Sequence, residues 1–121
     1  MSIDNLFRQL KDIQFQADKI LKAKKIDDEK LARFAVYSIS LKQDLIDLQL
    51  NEAVSIHVND IENINVNFNP NLPAITSILG ALSFGVVANK YRASRREKYF
   101  RENVKNIRDQ FICIDHLLKE I

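Results

Sequence analysis

The chain has 121 residues, a formal net charge of +2 at pH 7, and 46% hydrophobic and 28% charged residues, which predicts one folded domain over residues 1–121 and excludes a wholly disordered protein. Its single cysteine, Cys113, excludes an internal disulfide framework and is typical of a reducing compartment. The opening residues, MSIDNLFRQL, lack the basic start and apolar run of a secretion signal, so we expect a cytoplasmic protein.

A heptad repeat of apolar residues predicts a first helix over residues 3–24. Alternating steps of three and four place these residues in one line along a helix: Ile3, Leu6, Leu10, Ile13, Ala17 and Ile20. The lysines near its end, Lys22, Lys24 and Lys25, suit the negative end of the helix dipole. We therefore expect one side of this helix to pack against the rest of the protein.

A second helix is predicted over residues 28–51, with Asp27 as its cap and with Ile26 and Leu31 placed to pack across that cap. Two apolar lines run along it. The first contains Phe34, Leu41, Leu45 and Leu48, and the second contains Ala32, Val36, Ile39, Ile46 and Leu50. A helix with two such lines is expected to contact neighbours on more than one side.

Alternating apolar residues predict a β-hairpin over residues 53–68, inserted between the second helix and the next one. Its first strand would carry Val54, Ile56 and Val58 on one face, and its second would carry Ile64, Val66 and Phe68. The intervening residues, NDIEN, are typical of a turn. Because a lone hairpin is marginal in water, it must rest on the helices or pair with another copy.

Two further helices are predicted over residues 73–92 and 94–120. Pro73 suits the first turn of the former, and Ser94 with Glu97 has the spacing of a capping box. The last helix carries a regular apolar line: Phe100, Val104, Ile107, Phe111, Ile114, Leu118 and Ile121. The alternative is one continuous helix, since neither glycine nor proline interrupts 86–121. The predicted fold class is mainly α, a small bundle of three to four helices with the inserted hairpin.

The segment from residue 72 to 88 carries no charge, and two environments suit it. Small residues at Ser77, Ala81 and Gly85 would let a neighbouring backbone come close, with Leu79, Leu82 and Val86 on the other face. The alternative is a membrane anchor with the basic residues that follow in the cytoplasm. A helix of this length rises only about 26 Å against a hydrocarbon core of about 30 Å. Burial against protein is therefore the favoured interpretation.

Basic residues form a ridge on the last helix, and they suggest an anion-binding surface. The ridge consists of Lys98, Arg101, Lys105 and Arg108, with Arg95 at its edge. Such a surface could lie along phosphates, which makes sequence-independent nucleic-acid binding an alternative function. Acidic neighbours such as Glu97, Glu102 and Asp109 partly neutralise the ridge, so a solvated helix face is the simpler interpretation.

Residues that could perform chemistry are sparse. Asp109, Cys113, His116 and Glu120 share one face of the last helix, but a metal site needs three or four well-aimed ligands. His116 stands one turn from Cys113 and could act as its base, but no third, orienting group is evident, and His57 is expected on the first predicted strand. No phosphate-binding glycine loop occurs. We therefore expect no catalytic residue, metal, cofactor or small-molecule substrate, and hence no enzyme.

The surplus of apolar lines is the strongest indication of function. More apolar helix surface is predicted than one small monomer needs for its core, and exposed lines are usually interfaces. The sequence therefore predicts a non-enzymatic assembly or interaction protein, which forms a homo-oligomer or serves as a small subunit of a larger complex.

Overall fold

The computed structural model describes residues 3–66 and 86–120, with only the backbone described for Ile3 and residues 86–92. Over these ranges the protein forms four α-helices: α1 (Ile3–Lys22), α2 (Asp28–Asp47), α3 (Glu52–Asn59) and α4 (Val86–Lys119). The prediction of a mainly helical bundle is thus confirmed. None of the helices in this part of the chain is both long and apolar enough to span a membrane.

An antiparallel pair, α1 and α4, forms the centre of the fold. The heptad line of α1 is buried at Leu6, Leu10, Ile13, Ala17 and Ile20, and that of α4 is buried at Phe100, Val104, Ile107, Phe111 and Ile114. The opposite directions follow from two contacts. Arg108 pairs with Asp18, in the second half of α1, whereas the Lys119 ammonium lies over the ring of Phe7, near the start of α1.

The second helix packs against α1 through the first of its two predicted apolar lines. It begins at the expected cap, because Asp27 accepts hydrogen bonds from the backbone N–H groups of Glu29 and Lys30. Leu31 and most of the first line are buried: Phe34, Leu41 and Leu45. Leu48 stands at the C-terminal cap instead and is exposed. One side of α2 therefore completes the core, while its opposite side faces away from it.

The predicted β-hairpin over 53–68 is wrong, because its first half is helix α3. The Asn51 side chain accepts a hydrogen bond from the backbone N–H of Val54 at 3.1 Å and so caps a helix. Val54 and Val58 are four residues apart, which places both on the buried face of that helix, while Ile56 points outward and is exposed. An apolar pattern over so few residues fits both the two-residue period of a strand and the 3.6-residue period of a helix. No strand occurs within 3–66 or 86–120.

The residues after α3 are irregular and lie between α2 and α4. Ile61 and Ile64 are buried in the core. Their neighbours are held by side chains rather than by a second strand: the Gln110 Oε1 atom accepts from the Glu62 N–H, and the Lys42 ammonium donates to the Ile61 carbonyl at 2.9 Å. Phe68 and the end of the predicted second strand lie outside the described residues.

The last helix runs unbroken through Ser94, so the helix start predicted there is wrong and the alternative of a continuous helix holds across it. Its 34 residues extend over about 50 Å, whereas the 20 residues of α1 extend over about 30 Å. Arg96 already contacts Asp28, the first residue of α2, and Glu97 contacts Ile26 in the loop between α1 and α2. The backbone of 86–95 therefore lies beyond that loop along the helix axis.

Candidate interaction surface

The second predicted apolar line of α2 lies on its outer face. We call Ala32, Val36, Ile39, Gln43 and Ile46 the α2 stripe. Its large apolar members are well exposed, with Val36 at 69%, Ile39 at 49% and Ile46 at 42%. Steps of four and three keep these residues in one line opposite the buried face of the helix. Leu50 is the exception, because it lies past the end of α2 and is partly buried against the core.

A shallow groove lies alongside the α2 stripe, where α2 meets α1. Gln9 of α1 contributes one wall, and Val36, Tyr37 and Asp44 of α2 contribute to the other. Val36 thus belongs both to the stripe and to the groove, so the apolar surface is continuous with a concave one. A surface of this shape suits an elongated element such as a helix.

Tyr37, which lines this groove, is half-buried, and its phenol is hydrogen-bonded to Asp12 of α1. Burial raises the pKa of Tyr37 above its ordinary value, and the negative charge and hydrogen bond of Asp12 raise it further. The phenol is therefore neutral and joins α1 to α2 beside the groove.

Arg101, a member of the basic ridge, forms hydrogen bonds within the protein. Its guanidinium donates to the carbonyls of Leu21, Ala23 and Lys24 at 2.9, 2.7 and 3.0 Å. These carbonyls belong to the end of α1 and the residues just after it, where intrahelical partners are missing. Arg101 therefore caps α1 from α4, and its planar fork of donors is occupied inside the protein.

Glu97 completes this contact from one turn earlier on α4. Its carboxylate accepts from the Arg101 Nε at 3.0 Å and from the backbone N–H of Ile26 at 3.1 Å. Arg96 adds an ion pair with Asp28 at 3.0 Å. Three side chains of α4 thus hold the end of α1, the link to α2 and the first residue of α2, a role that the predicted capping box at Ser94 did not suggest.

Arg108 also faces α1. Its guanidinium lies 2.9 Å from Asp18 of α1 and 3.2 Å from Asp109 of its own helix. The hydrogen bond to Asp18 does most to raise the pKa of Arg108; burial lowers it, and Asp109 raises it further. Two of the cations assigned to an anion-binding ridge therefore already have carboxylate or carbonyl partners.

The rest of the ridge is more exposed. Lys98 and Lys105 are exposed and make no ion pair with another residue that the structure describes, and Arg95 is exposed at the edge. The acidic Glu102 lies between the two lysines along the chain and is also exposed. The accessible charge on this face is therefore smaller than the sequence alone indicates.

The predicted helix-packing residues of the uncharged segment lie mainly outside the described residues. Ser77, Leu79, Ala81, Leu82 and Gly85 all precede α4, and so does most of the helix predicted over 73–92. Val86 is the first residue of α4, and only its backbone is described. The small-residue packing at this segment stays a prediction.

The fold also brings together residues that the sequence left apart. His57 of α3 and Cys113 of α4 line one polar depression with Asp60, Glu62 and Asp109. Within 3–66 and 86–120, no three histidine, cysteine or acidic side chains converge as a metal site would require. His116 and Glu120 are exposed near the end of α4.

Function is thus to be inferred from two surfaces, the α2 stripe with its groove and the remaining lysines of the ridge. The stripe was visible in the sequence as a second apolar line. The groove beside it was not, because it depends on how α1 lies against α2. Comparisons of the chain with protein-family models, with curated proteins and with solved structures find no match.

Proposed function

We propose that the chain is a non-enzymatic helical assembly protein, which self-associates or serves as a small subunit of a larger complex. The observation that carries this proposal is the α2 stripe. It is an apolar line on the surface of a helix whose other apolar line is already used in the core. Single exposed apolar residues are ordinary, but an aligned row of them is typical of an interface.

The stripe has the dimensions and setting of a helix-pairing surface. From Ala32 to Ile46 it extends about 21 Å, which is four turns of helix. The α2 helix is rigidly placed, since its opposite face is buried and its start is capped by Asp27. A partner would therefore meet a formed helix and would not have to order it first.

The nucleic-acid alternative has weaker support. It depends on a row of available cations, and two of its arginines, Arg101 and Arg108, contact α1 instead. Membrane attachment depends on residues 72–88, most of which lie outside the described residues. The exposed α2 stripe favours a protein partner over either.

The proposal is tested by sedimentation velocity over a range of protein concentrations. We expect the sedimentation coefficient to rise with concentration for the natural chain and to stay at the monomer value for Ile39→Lys. Phe15→Lys is the matched control, because Phe15 is an equally exposed apolar residue of α1, at 57%, away from the stripe. Circular dichroism melts establish that both variants fold.

Three outcomes would contradict the proposal. A natural chain that stays monomeric at the highest soluble concentration contradicts self-association. Association that Phe15→Lys weakens as strongly as Ile39→Lys would indicate non-specific contact between apolar side chains. A salt-sensitive complex with DNA or RNA that is lost when Lys98 and Lys105 are replaced by Glu would favour the nucleic-acid alternative.

A further inference from the structure

We propose that the partner of the α2 stripe is the same stripe of a second copy, with the two α2 helices antiparallel about a two-fold axis near their midpoint. This inference rests on the proposed function and adds to it the identity and direction of the partner. A two-fold interface of this kind uses one surface twice, so it closes as a dimer.

The stripe has the heptad phase that helix pairing requires. Val36 and Gln43 occupy a positions, and Ala32, Ile39 and Ile46 occupy d positions. In an antiparallel pair, a positions of one helix lie opposite d positions of the other. Val36 then faces Ile46 of the second copy, and Gln43 faces Ile39 of the second copy. Every apolar member from 36 to 46 has an opposite residue within the helix.

Flanking charges match under the same rotation. Arg33 and Asp47 stand seven residues before and after Ser40, on the same edge of the stripe. A two-fold axis near Ser40 therefore places Arg33 of each copy beside Asp47 of the other. Opposite charges on the edges of a helix pair select the partner and its direction.

Arg33 and Asp47 can both form ion pairs with a second copy without weakening the fold of their own chain. Arg33 pairs with Glu29 at 2.6 Å, but these side chains are 74% and 71% exposed, so this pair contributes little to stability. Asp47 accepts a hydrogen bond from the amide of Gln43, itself a member of the stripe, at 3.0 Å. Neither side chain reaches into the core, so both can turn toward a second copy.

A parallel pair would place the same two residues, Arg33 and Asp47, against different partners, and both of those partners contact other parts of their own chain. It would place Arg33 against Asp28 and Asp47 against Lys42 of the second copy. Asp28 pairs with Arg96, and the Lys42 ammonium donates to the Ile61 carbonyl. Antiparallel pairing keeps both contacts and also opposes the two helix dipoles favourably. The Asp28 side chain is as exposed as that of Glu29 and adds little to this choice, so the part-buried contact of Lys42 and the helix dipoles are what favour the antiparallel direction.

A single pair of short helices makes a small interface. We expect total buried area near or below about 1,000 Å², which is typical of a reversible association. The dimer should therefore exchange with the monomer as the protein is diluted. Measured dissociation constants, rather than the presence of a single band, are the appropriate observable.

Charge exchange tests the direction of pairing. Sedimentation equilibrium would be measured for the natural chain, Arg33→Glu, Asp47→Arg and the double variant. Each single variant replaces attraction by repulsion twice per dimer, and we expect the dissociation constant to rise roughly tenfold. The double variant restores opposite charges in the antiparallel arrangement, so its dissociation constant should return close to the natural value. Its fold should be retained, since an added cation at the end of α2 suits the helix dipole.

Failure of this inference and failure of the proposed function give different results. Association that Ile39→Lys abolishes, with a double variant as weak as the singles, would overturn antiparallel pairing and leave assembly through the stripe in place. A natural chain that is monomeric throughout would overturn this inference together with self-association, and would leave of the proposed function only a subunit role in a larger complex. A monomer that Ile39→Lys destabilises against urea would indicate that another segment of the same chain covers the stripe, and this would also overturn the second-copy assignment.

Discussion

A single side chain, that of Arg101, links the middle of α4 to the C-terminal end of α1. Its guanidinium reaches from the middle of α4 to the carbonyls that end α1, and Glu97 holds it in that direction. Carbonyls at a helix end need partners, and a charged donor gives stronger hydrogen bonds than a neutral one. The side chain is 29% exposed, so water screens it only in part.

Arg101→Met is expected to lower the free energy of unfolding by about 1.5–3 kcal/mol, because hydrogen bonds from a charged donor are lost while the apolar stem is kept. Urea unfolding at neutral pH measures the change. Lys105→Met, on the same helix and exposed, is the control and should change stability by less than about 0.5 kcal/mol. Equal effects of the two substitutions would mean that Arg101 contributes no more than an exposed cation.

The raised pKa of Tyr37 predicts a loss of stability in alkali. Below pH 10.0, the ordinary tyrosine value, the phenol is neutral in both states and its contribution to stability is complete. As the pH rises further, the unfolded chain loses this proton while the folded chain retains it, which favours unfolding. The contribution is fully lost once the pH passes the folded pKa.

Tyr37→Phe removes this linkage, so its unfolding free energy should fall less steeply than that of the natural chain over the interval in which the pH rises above 10.0. Parallel urea titrations across this interval provide the comparison. Tyr99→Phe serves as a control for loss of a phenol elsewhere. Parallel curves for the natural chain and Tyr37→Phe would show that burial and Asp12 do not perturb this phenol.

The end of α2 stores backbone strain at one residue. Gln49 adopts a positive φ of 50°, in the left-handed region that favours glycine. Its N–H still donates to the Ile46 carbonyl at 3.1 Å, so the turn that ends the helix is made despite the side chain. The strain is located where α2 turns toward α3, and it can be relieved without touching the core.

Gln49→Gly should therefore raise the free energy of unfolding by about 0.5–1 kcal/mol, the cost of a Cβ atom in this conformation. Gln49→Ala is the matched control, because it shortens the side chain but keeps the Cβ atom, and it should give no such gain. Thermal melts of the two variants decide the matter. A glycine variant less stable than the alanine variant would contradict a strained turn.

The long helices were predictable because their apolar lines are long. Seven-residue repeats on α1 and α4 extend over several turns, and the same residues form the core, from Leu6 to Ile20 and from Phe100 to Ile114. Residues 53–58 are too few to distinguish a period of two from one of 3.6. Asn51, which caps α3, was the available signal for a helix there.

The candidate surface was predictable only in part. The second line of α2 was read from its spacing, and its exposure required knowing that the neighbouring helices leave Val36, Ile39 and Ile46 uncovered. For the basic ridge the sequence pattern predicted more exposed charge than the structure has. Its spacing is regular, but Arg101 and Arg108 point to α1, and no pattern within α4 records where a neighbouring helix ends.

Assembly through α2 would place the core helices of two copies on either side of a new apolar layer. In each copy α2 would then be covered on both of its apolar lines, as the sequence leads one to expect of such a helix. Gln43 would be the polar residue within that layer. A single polar residue at an a position lowers stability while fixing register and partner number.

Gln43→Leu should accordingly tighten self-association by at least about tenfold, because the replaced amide would lie against Ile39 of the second copy and a buried leucine is worth roughly 1.5–3 kcal/mol. Sedimentation equilibrium gives the dissociation constants. Lys11→Leu adds an exposed leucine to the outer face of α1 and should leave association unchanged. Tightening by both substitutions would indicate adhesion of apolar surfaces in general. A dissociation constant that Gln43→Leu leaves unchanged would place Gln43 outside the contact and exclude α2 pairing in this register.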